Sequence, residues 1–423
     1  MAGDATKPDF KIKVDGSPIA DKLVSAVIHV TVDDALDAAA VATIKLRDKA
    51  SEVSNDHPFK VGAAIEICLG YVSNCTTVVF KGEVTGHQGS FVRRGNQTLV
   101  VICHDKFHRL RRNRRSASHL KVKDSDVITK AAQAAGLSAD VKASPFTQEI
   151  IHQLNQTDAD FVLERAAQIG REVYVDDAKL VCREPDLKGS KVTTLEWHMQ
   201  LRHFQVAIDV SRQTKEAKVQ AWDMVQKKRI EASAKKGKER DLMGGTEPGS
   251  DAIKDIDGTQ PRTKVGVPAR SQEEVQAYVD TQFRVDSEQF LRGEGACEGD
   301  PKIRRGTVVE LEGIGNYLSG PYYVRRAIHT LLVGSGYTTT FYALRTAVQR
   351  PGQAPKLEMP APAEQEPFEA EPDNDPLSFQ VSDPVGAPLG GMPFVIVDPS
   401  GKRQGGQLGS DGKVDVQFEE GGG

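Results

Sequence analysis

The strongest local candidate for chemistry is a basic run over residues 104–115, which reads His-Asp-Lys-Phe-His-Arg-Leu-Arg-Arg-Asn-Arg-Arg. Lysine and arginine neutralise phosphates and an aromatic ring such as Phe107 stacks on bases, so the run could bind nucleic acid. The alternative is that it leaves a strand and pairs with acidic residues, or faces a neighbouring subunit. Proteins that coat nucleic acid are normally net basic. Because this chain carries a net charge of −4, we expect the alternative and no specific nucleic-acid partner.

Two further polar features have plain structural interpretations. Residues 227–260 hold the clusters Lys227-Lys-Arg229 and Lys235-Lys-Gly-Lys-Glu-Arg240, and we predict a charged, solvated loop there. His329 lies within an apolar strand pattern, which favours a buried, hydrogen-bonded histidine over a ligand.

Motifs of enzymes are missing from the sequence. There is no GxSxG elbow or HExxH, and no Walker lysine follows a glycine-rich loop. The doublets Gly293-Glu-Gly295 and Gly313-Ile-Gly315 do not complete the phosphate-binding pattern GxGxxG, and they are typical of turns between strands. We therefore expect no enzyme activity, and we assign no catalytic, cofactor-binding or metal-binding residue.

The cysteines favour a reducing environment. Their number is odd, no CxxC spacing occurs, and each lies in or beside an apolar run: Cys68, Cys75, Cys103, Cys182 and Cys297. We expect reduced thiols that pack as small apolar groups in a protein assembled in the cytoplasm. The first ten residues lack the apolar region of a secretory signal. No stretch reaches the roughly 18 apolar residues of a spanning helix, so we expect no stable membrane insertion.

Length and composition indicate a globular chain of several domains. The 423 residues correspond to about three domains at roughly 150 residues each. Hydrophobic residues make up 39% and charged residues 27%, which excludes both an integral membrane protein and a wholly disordered chain.

The hydrophobic pattern predicts an α+β, mostly β protein with two β-barrel-like regions that flank an α+β section. Period-two alternation marks six strands in the first hundred residues, for example Phe10–Val14 and Val27–Val32. Helix signals follow at 125–136 and 157–170, and Ser271-Gln-Glu-Glu274 resembles a capping box that opens a third helix. The predicted domains are a first β-barrel at 1–104, an α+β middle domain at 105–200, and a second β-barrel at 201–350.

The last part of the chain divides into a linker and a small module. Residues 351–376 contain seven prolines and seven acidic residues, a composition typical of an extended linker. Residues 377–423 hold three strand patterns joined by Asp, Gly and Pro turns. They predict a small β-sandwich-like module that resembles immunoglobulin- or transthyretin-like carrier domains.

Several segments together resemble one family, the phage late control protein D and VgrG-type hub proteins of contractile tails. The resemblance covers about residues 8–348. It rests on Phe80-Lys-Gly-Glu-Val-Thr-Gly86 with Cys103-His-Asp105, on the basic turn, and on Gln153-Leu-Asn-Gln-Thr-Asp-Ala-Asp-Phe161 with Arg165 and Gly170. In the second half it rests on Gly295–Pro301, Arg305-Gly306, Gly320–Val324, His329 and Gly336–Phe341.

The resemblance implies a structural hub of a contractile-tail baseplate, in a phage tail or a contractile injection particle. In the family, three copies form a ring with two related barrels per copy, so the ring fits a sixfold tail tube on one side and a threefold spike on the other. The expected partners are two further copies, the tail tube protein, a spike or spike-tip protein and other baseplate proteins.

The sequence departs from the longer VgrG pattern after residue 350, with no oligonucleotide-binding neck, β-helix needle or lysozyme segment. A separate spike protein is therefore expected. An alternative function is an adaptor of the same fold that loads an effector or other cargo through its C-terminal module.

Overall fold

The computed structural model describes residues 7–72, 77–93, 97–223, 226–254, 261–267, 271–350, 377–380, 390–397, 403–411 and 413–416. The chain divides into two compact units, residues 1–354 and 355–423. The prediction of a mostly β protein is confirmed, since most of the elements are strands in antiparallel sheets. Cys75 lies outside the described residues.

The first hundred residues form strands, as their period-two alternation predicts. Val30, Val32 and Ile44 point into the core and are fully buried, while the residues between them are more exposed. The elements are β1 (Pro8–Val14), β2 (Ser17–Pro18), α1 (Asp21–Ala26), β3 (Val27–Ala35), β4 (Val41–Arg47), a 3-10 turn (Lys49–Ser51), α2 (Glu52–Asn55), β5 (Ala64–Tyr71), β6 (Val78–Ser90) and β7 (Thr98–His104).

The middle section combines helices and short strands. The Thr157 hydroxyl accepts a hydrogen bond from the Asp160 backbone N–H at 3.1 Å, so this threonine caps the second of its helices as predicted. The elements are a 3-10 turn (Lys106–Arg111), β8 (Arg114–Val122), α3 (Asp124–Ala134), β9 (Ser138–Val141), β10 (Gln148–Thr157), α4 (Asp158–Gln168), β11 (Glu172–Asp176) and β12 (Lys179–Arg183).

The remainder of the first unit returns to strands and contains one long helix, capped by Ser271 through a 3.1 Å bond from the Glu274 N–H. The elements are β13 (Lys191–Glu196), β14 (Leu201–Ile208), β15 (Glu216–Asp223), β16 (Lys228–Lys235), β17 (Glu247–Pro248), α5 (Gly249–Ala252), β18 (Arg262–Val265), α6 (Gln272–Ser287), β19 (Leu291–Glu298), β20 (Val308–Glu312), β21 (Gly320–Leu332), β22 (Gly336–Arg345) and β23 (Ala347–Val348).

Thirteen of the described strands form one sheet. We call β1–β7 its first half, and β13, β14 and β19–β22 its second half. The halves are joined where β21 pairs antiparallel with β3, for example Thr330 with Thr31. The Gly320–Tyr323 segment of β21 pairs instead with β20. One strand is thus shared by both halves, although nearly 300 residues separate it from β3.

Each half contributes to a separate hydrophobic core. One cluster draws mainly on the first half, including Ile44, Phe59 and Ile67, and takes Leu331 and Tyr337 from β21 and β22. Another draws on all six strands of the second half and includes Tyr322 and Phe341. The middle section has its own core around Phe107 and Val162. Strands β15, β16 and β18 pack against α6 around a fourth core, which lies between β14 and β19 in sequence.

The predicted charged loop at 227–260 is wrong in part, because Lys228–Lys235 is strand β16. Ile230, Ala232 and Ala234 are buried and alternate with charged or polar residues. Small alanines between lysines gave too weak an apolar signal to indicate a strand. The strands β8 and β10 of the middle section were not predicted because polar residues outnumber apolar ones in both.

Strand β19 was not predicted because glycines interrupt it. A Cβ at Gly295 would lie 2.3 Å from the Phe341 ring, and one at Gly293 would lie 2.5 Å from the Phe204 ring. Glycine weakens a strand signal in the sequence, but here it lets two aromatic rings lie directly over the strand.

Gly295→Ala is expected to lower the free energy of unfolding by about 1–3 kcal/mol, since the added methyl group overpacks the core of the second half. The control is Gly86→Ala in β6, where a Cβ would meet nothing within 4 Å. That change should stay within about 0.5 kcal/mol of the wild type. Urea unfolding measures both, and equal losses would contradict the packing role of Gly295.

The second unit contains four described strands, β24 (Leu377–Gln380), β25 (Pro393–Val397), β26 (Arg403–Gln407) and β27 (Lys413–Val416). β24 pairs with β27 and β25 with β26, both antiparallel. The patterns at β24, β25 and β27 were predicted as strands. β26 was missed because its sequence, Arg-Gln-Gly-Gly-Gln, contains no apolar residue.

Candidate functional site

The candidate site is the junction at which β21 changes its partner from β20 to β3. A register shift between Val324 and Arg326 marks this point. Four arginines meet four aspartates around it, and we call this set the junction cluster: Asp33, Asp34, Asp37, Asp105, Arg304, Arg305, Arg325 and Arg326.

Asp34 of β3 is the centre of the junction cluster, with a side chain only 1% exposed. Arg304 Nε donates to its carboxylate at 2.5 Å, and Arg305 Nη1 lies 2.9 Å from it. Burial by itself would raise the pKa of Asp34, but the guanidiniums of Arg305 and Arg304 outweigh it and hold the pKa below its usual value. Asp34 therefore remains ionised and neutralises two arginines from the loop between β19 and β20.

Arg305 connects the two sheet halves with the middle section. Its guanidinium lies 3.4 Å from Asp105 at the end of β7 and donates to the Val175 carbonyl oxygen of β11. It also lies over the Tyr174 ring, 5.0 Å from the centroid. Burial raises the pKa of Asp105 to about 6 despite the opposing charge of Arg305.

A second set of contacts fixes the middle section against β3 and β21. The backbone N–H of Asp37 donates to the Val173 carbonyl at 2.8 Å, and the Val173 N–H donates to the Asp37 carboxylate at 2.9 Å. Arg325 pairs with the same carboxylate at 2.6 Å. The Tyr323 hydroxyl of β21 donates to the buried Glu172 of β11 at 2.6 Å.

His329 lies in the β21–β3 pairing and is fully buried, as predicted. Tyr337 Oη lies 2.8 Å and Thr339 Oγ1 3.1 Å from its Nδ1, so the ring is hydrogen-bonded at this nitrogen, as donor or acceptor according to its tautomer. Burial, reinforced by Arg304, lowers the pKa of His329 to about 4. The His329 side chain is therefore uncharged at physiological pH.

The junction cluster consists of ion pairs, and the pairs of Asp34 are buried. Removing one partner of a buried ion pair leaves an uncompensated charge, so each member holds the others in position. Among the described residues no group of three His, Cys, Asp or Glu side chains could hold a metal ion. The described cysteines are buried and form no disulfide with one another. Burial raises the pKa of the Cys103, Cys182 and Cys297 thiols to about 12.

The basic run of residues 104–115 pairs with acidic residues over part of its length. Arg109 contacts Glu83 of β6, and Arg115 lies 2.6 Å from Asp158 at the start of α4. Phe107 is fully buried in the core of the middle section, so its ring is not available for stacking. The pairing with acidic residues was one of the two structural roles expected for this run.

The segments behind the family resemblance have structural roles. Gln153 is buried and donates to Asp158 at 3.1 Å, and Arg165 pairs with the fully buried Asp124. A Cβ at Gly82 would lie 2.3 Å from the His104 carbonyl oxygen, so only glycine fits where β6 meets β7. These residues position strands and helices rather than a ligand.

A cleft of about 830 Å³ lies between the two sheet halves. Tyr71 of the first half and Tyr337 of the second face each other at 6.0 Å between ring centroids. The first half also contributes Pro8, Gly70 and Thr77 to its lining, and the second half contributes Thr193, Leu195, Gln200, Arg202, residues 298–302 and residues 335–338.

Sequence reasoning did not single out Asp34 or Arg304. Both are charged residues in or beside strands, where a charge normally indicates a solvent-exposed face. Of the junction cluster, only Asp105 and Arg305 were noted, both as part of the family resemblance. Without the pairing of β3 with β21, no signal relates residue 34 to residue 304.

The fold and the junction define a class of mostly β proteins in which two sheet halves share a strand and are fixed by a buried charged cluster. A family model described as the Alg8 N-terminal domain matches residues 4–332, and the chain belongs to this family. No match was found among curated protein sequences.

Solved structures of phage tail proteins have the same fold. The 43 kDa tail protein of prophage MuSo2 from Shewanella oneidensis aligns with a TM-score of 0.59 at 14% identity, over 80% of this chain and 99% of that one. A tail protein from Neisseria meningitidis MC58 aligns with a TM-score of 0.59 at 14% identity, over 80% of this chain and 97% of that one.

A third structure aligns over nearly the whole length. It is the E. coli c3393 protein, described as a component of the type VI secretion system with structural similarity to the T4 bacteriophage tail proteins gp27 and gp5. It gives a TM-score of 0.53 at 12% identity, over 97% of both chains. At these identities the similarity establishes the fold. None of the described helices is long and apolar enough to cross a membrane.

Proposed function

We propose that the chain is the central hub protein of a contractile-tail baseplate, of the late control protein D and VgrG type. Three copies would form a ring that adapts a sixfold tail tube to a threefold spike. The role is mechanical, and we propose no catalytic activity. The protein would be assembled in the cytoplasm and become part of a phage tail or a contractile injection particle.

One observation carries the proposal: a single chain contains two sheet halves with separate cores, locked together by the junction cluster. Three such chains present six halves, which is the number a sixfold tube requires. The fold shared with phage tail proteins and with a type VI secretion component supports the same role. A rigid joint suits this role, because the angle between the halves sets how neighbouring copies meet.

We also propose the domain division 1–104, 105–200, 201–350, 351–376 and 377–423, with the two sheet halves as the hub barrels. The second barrel would take one strand, β13, from the end of the 105–200 region. The middle section would then act as a brace between the barrels, since it contacts Asp37, just after β3 of the first half, and Tyr323 in β21 of the second half. We propose an immunoglobulin- or transthyretin-like fold for the terminal module.

The mass of the purified chain in solution tests the proposal, with negative-stain imaging of the same sample. A trimer of three 46.0 kDa chains, 138 kDa, with a ring-shaped end view is the expected result. A chain that stays monomeric in the presence of both tube and spike proteins would overturn it.

The cargo adaptor remains a second candidate because residues 355–423 form a separate compact unit. Removal of residues 351–423 distinguishes the two functions. A hub should still assemble particles with their normal cargo, whereas an adaptor should yield particles that are assembled but empty.

A further inference from the structure

Three arginines at or just before the start of β8 have no acidic partner among the described residues. Arg111, Arg112 and Arg114 are exposed, and none of them forms an ion pair with another described residue. Their neighbours Arg109 and Arg115 do pair, with Glu83 and Asp158. The chain thus neutralises part of the basic run and leaves three exposed guanidiniums of like charge close together in sequence. Arg114 also donates to the Asn155 carbonyl oxygen at 2.6 Å.

The same strand belongs to a ribbon with an exposed apolar face. β8 and β10 form a separate two-stranded sheet. Its inner face packs on Phe161, while Leu120 and Leu154 on the other face are 70% and 69% exposed. Exposed apolar side chains beside a charged group are typical of an interaction surface. We call this surface, with Arg111, Arg112 and Arg114, the basic ribbon.

A complementary surface lies at the far ends of β13 and β20. Glu196 and Glu312 are direct cross-strand neighbours and both are exposed, and neither forms an ion pair with another described residue. Two like charges at facing positions destabilise a sheet. Met199, in the turn after β13, and Tyr317, in the turn after β20, are 65% and 40% exposed. We call this surface the acidic turn.

We propose that the basic ribbon of one copy binds the acidic turn of a second copy of the same chain. The basic ribbon carries positive charges with no acidic partner among the described residues, and the acidic turn carries negative charges with no basic partner there. Each surface can therefore neutralise the other, and both also expose apolar side chains. Because the two surfaces differ, the contact is heterologous and closes into a ring when the rotation between copies allows it. The inference rests on the proposed hub function and identifies the contact that would build its ring.

A partner of this kind fits better than nucleic acid. A phosphate backbone would neutralise the arginines, but it would make no use of Leu120 and Leu154. It would also leave the repulsion between Glu196 and Glu312 unrelieved. A second copy relieves both repulsions in one contact and covers both apolar groups.

Charge reversal tests the contact. The first variant is Arg111→Glu/Arg112→Glu/Arg114→Glu, the second is Glu196→Lys/Glu312→Lys, and the third combines all five changes. Each of the first two should weaken self-association about tenfold or more, as measured by light scattering over a range of concentrations. The combined variant should recover most of the wild-type association, because attraction between the two surfaces is restored with opposite sign.

The matched control is Lys45→Glu/Arg47→Glu/Lys49→Glu, which reverses three exposed charges elsewhere on the chain. It should associate like the wild type. All the substituted side chains are exposed, so thermal unfolding should show that every variant folds.

The outcomes separate the inference from the proposed function. If wild-type rings form and the first two variants associate equally well, or the combined variant is no better than they are, the contact is wrong and the hub function stands. If the first variant loses only nucleic-acid or tube-protein binding, the basic ribbon serves another partner and the inference is overturned. If the wild type forms no ring with its tail partners, the hub function itself fails.

Discussion

Replacing Asp34 with asparagine is expected to lower the free energy of unfolding by about 3–5 kcal/mol. The substitution keeps the shape of the side chain but removes the charge that compensates Arg304 and Arg305. The Arg305 guanidinium is only 7% exposed, so water cannot replace the lost carboxylate. Chemical unfolding followed by circular dichroism measures the change.

Asp33→Asn is the matched control, because the neighbouring aspartate also pairs with an arginine, Arg326, at 2.6 Å. The Asp33 side chain is 30% exposed and that of Arg326 is 44% exposed. Exposed ion pairs contribute only about 0.2–1 kcal/mol to the free energy of unfolding. A similar loss for both variants would mean that burial of the junction cluster does not set its contribution.

The Asp34 variant also connects stability with assembly. The junction cluster joins the two sheet halves. Under the proposed hub function, an Asp34→Asn variant that still folds at low temperature should form fewer complete rings than its stability alone explains. Ring counts at a temperature where both Asn variants are fully folded measure this effect. Equal counts for the two variants would mean that the halves hold their angle without Asp34.

The second large effect is a dependence of stability on pH that comes from His329. Its pKa is about 4 in the folded chain and about 6.5 when exposed, so the unfolded state binds more protons between these values. The stabilisation is complete above about pH 6.5 and is lost as the pH falls towards 4. The loss reaches up to about 3 kcal/mol, since one pKa unit corresponds to about 1.4 kcal/mol.

Asp105 acts in the opposite direction. Its pKa is raised to about 6, so the folded state binds more protons than the unfolded state between about 3.8 and 6. The wild-type curve contains both contributions, and only a comparison with a variant isolates the histidine. The difference in stability between the wild type and His329→Gln should therefore shrink as the pH falls from 7 to 4.

Thr339→Val serves as the control for this titration. Thr339 contacts the same ring nitrogen at 3.1 Å, but the variant keeps the histidine and should keep most of its pH dependence. A constant difference between the wild type and His329→Gln over this range would show that the buried histidine does not titrate with folding.

The local elements of this protein were largely determined by its sequence. Alternation in Val27–Val32, the capping threonine Thr157 and the Ser271 box predicted a strand and two helices close to where they occur, because each depends on neighbours within a few residues. Four strands were not predicted, namely the polar β8, β10 and β16 and the glycine-containing β19. Whether such sequences form strands depends on the residues that pack against them.

The candidate site was decided by tertiary structure. Asp34 and Arg304 are 270 positions apart and meet only because β21 pairs with β3. Arg305 and Asp105 are likewise distant in sequence and close in the fold. So are Tyr71 and Tyr337, which face each other in the cleft. A charged residue in a strand pattern is normally assigned to the surface. The sequence shows the charge, but it does not show the distance to an oppositely charged partner elsewhere in the chain. The sequence alone thus determined the mostly β character, the helices of the middle section and the family resemblance, whereas the long-range pairing of strands decided which charges are buried together and hold the two halves in place.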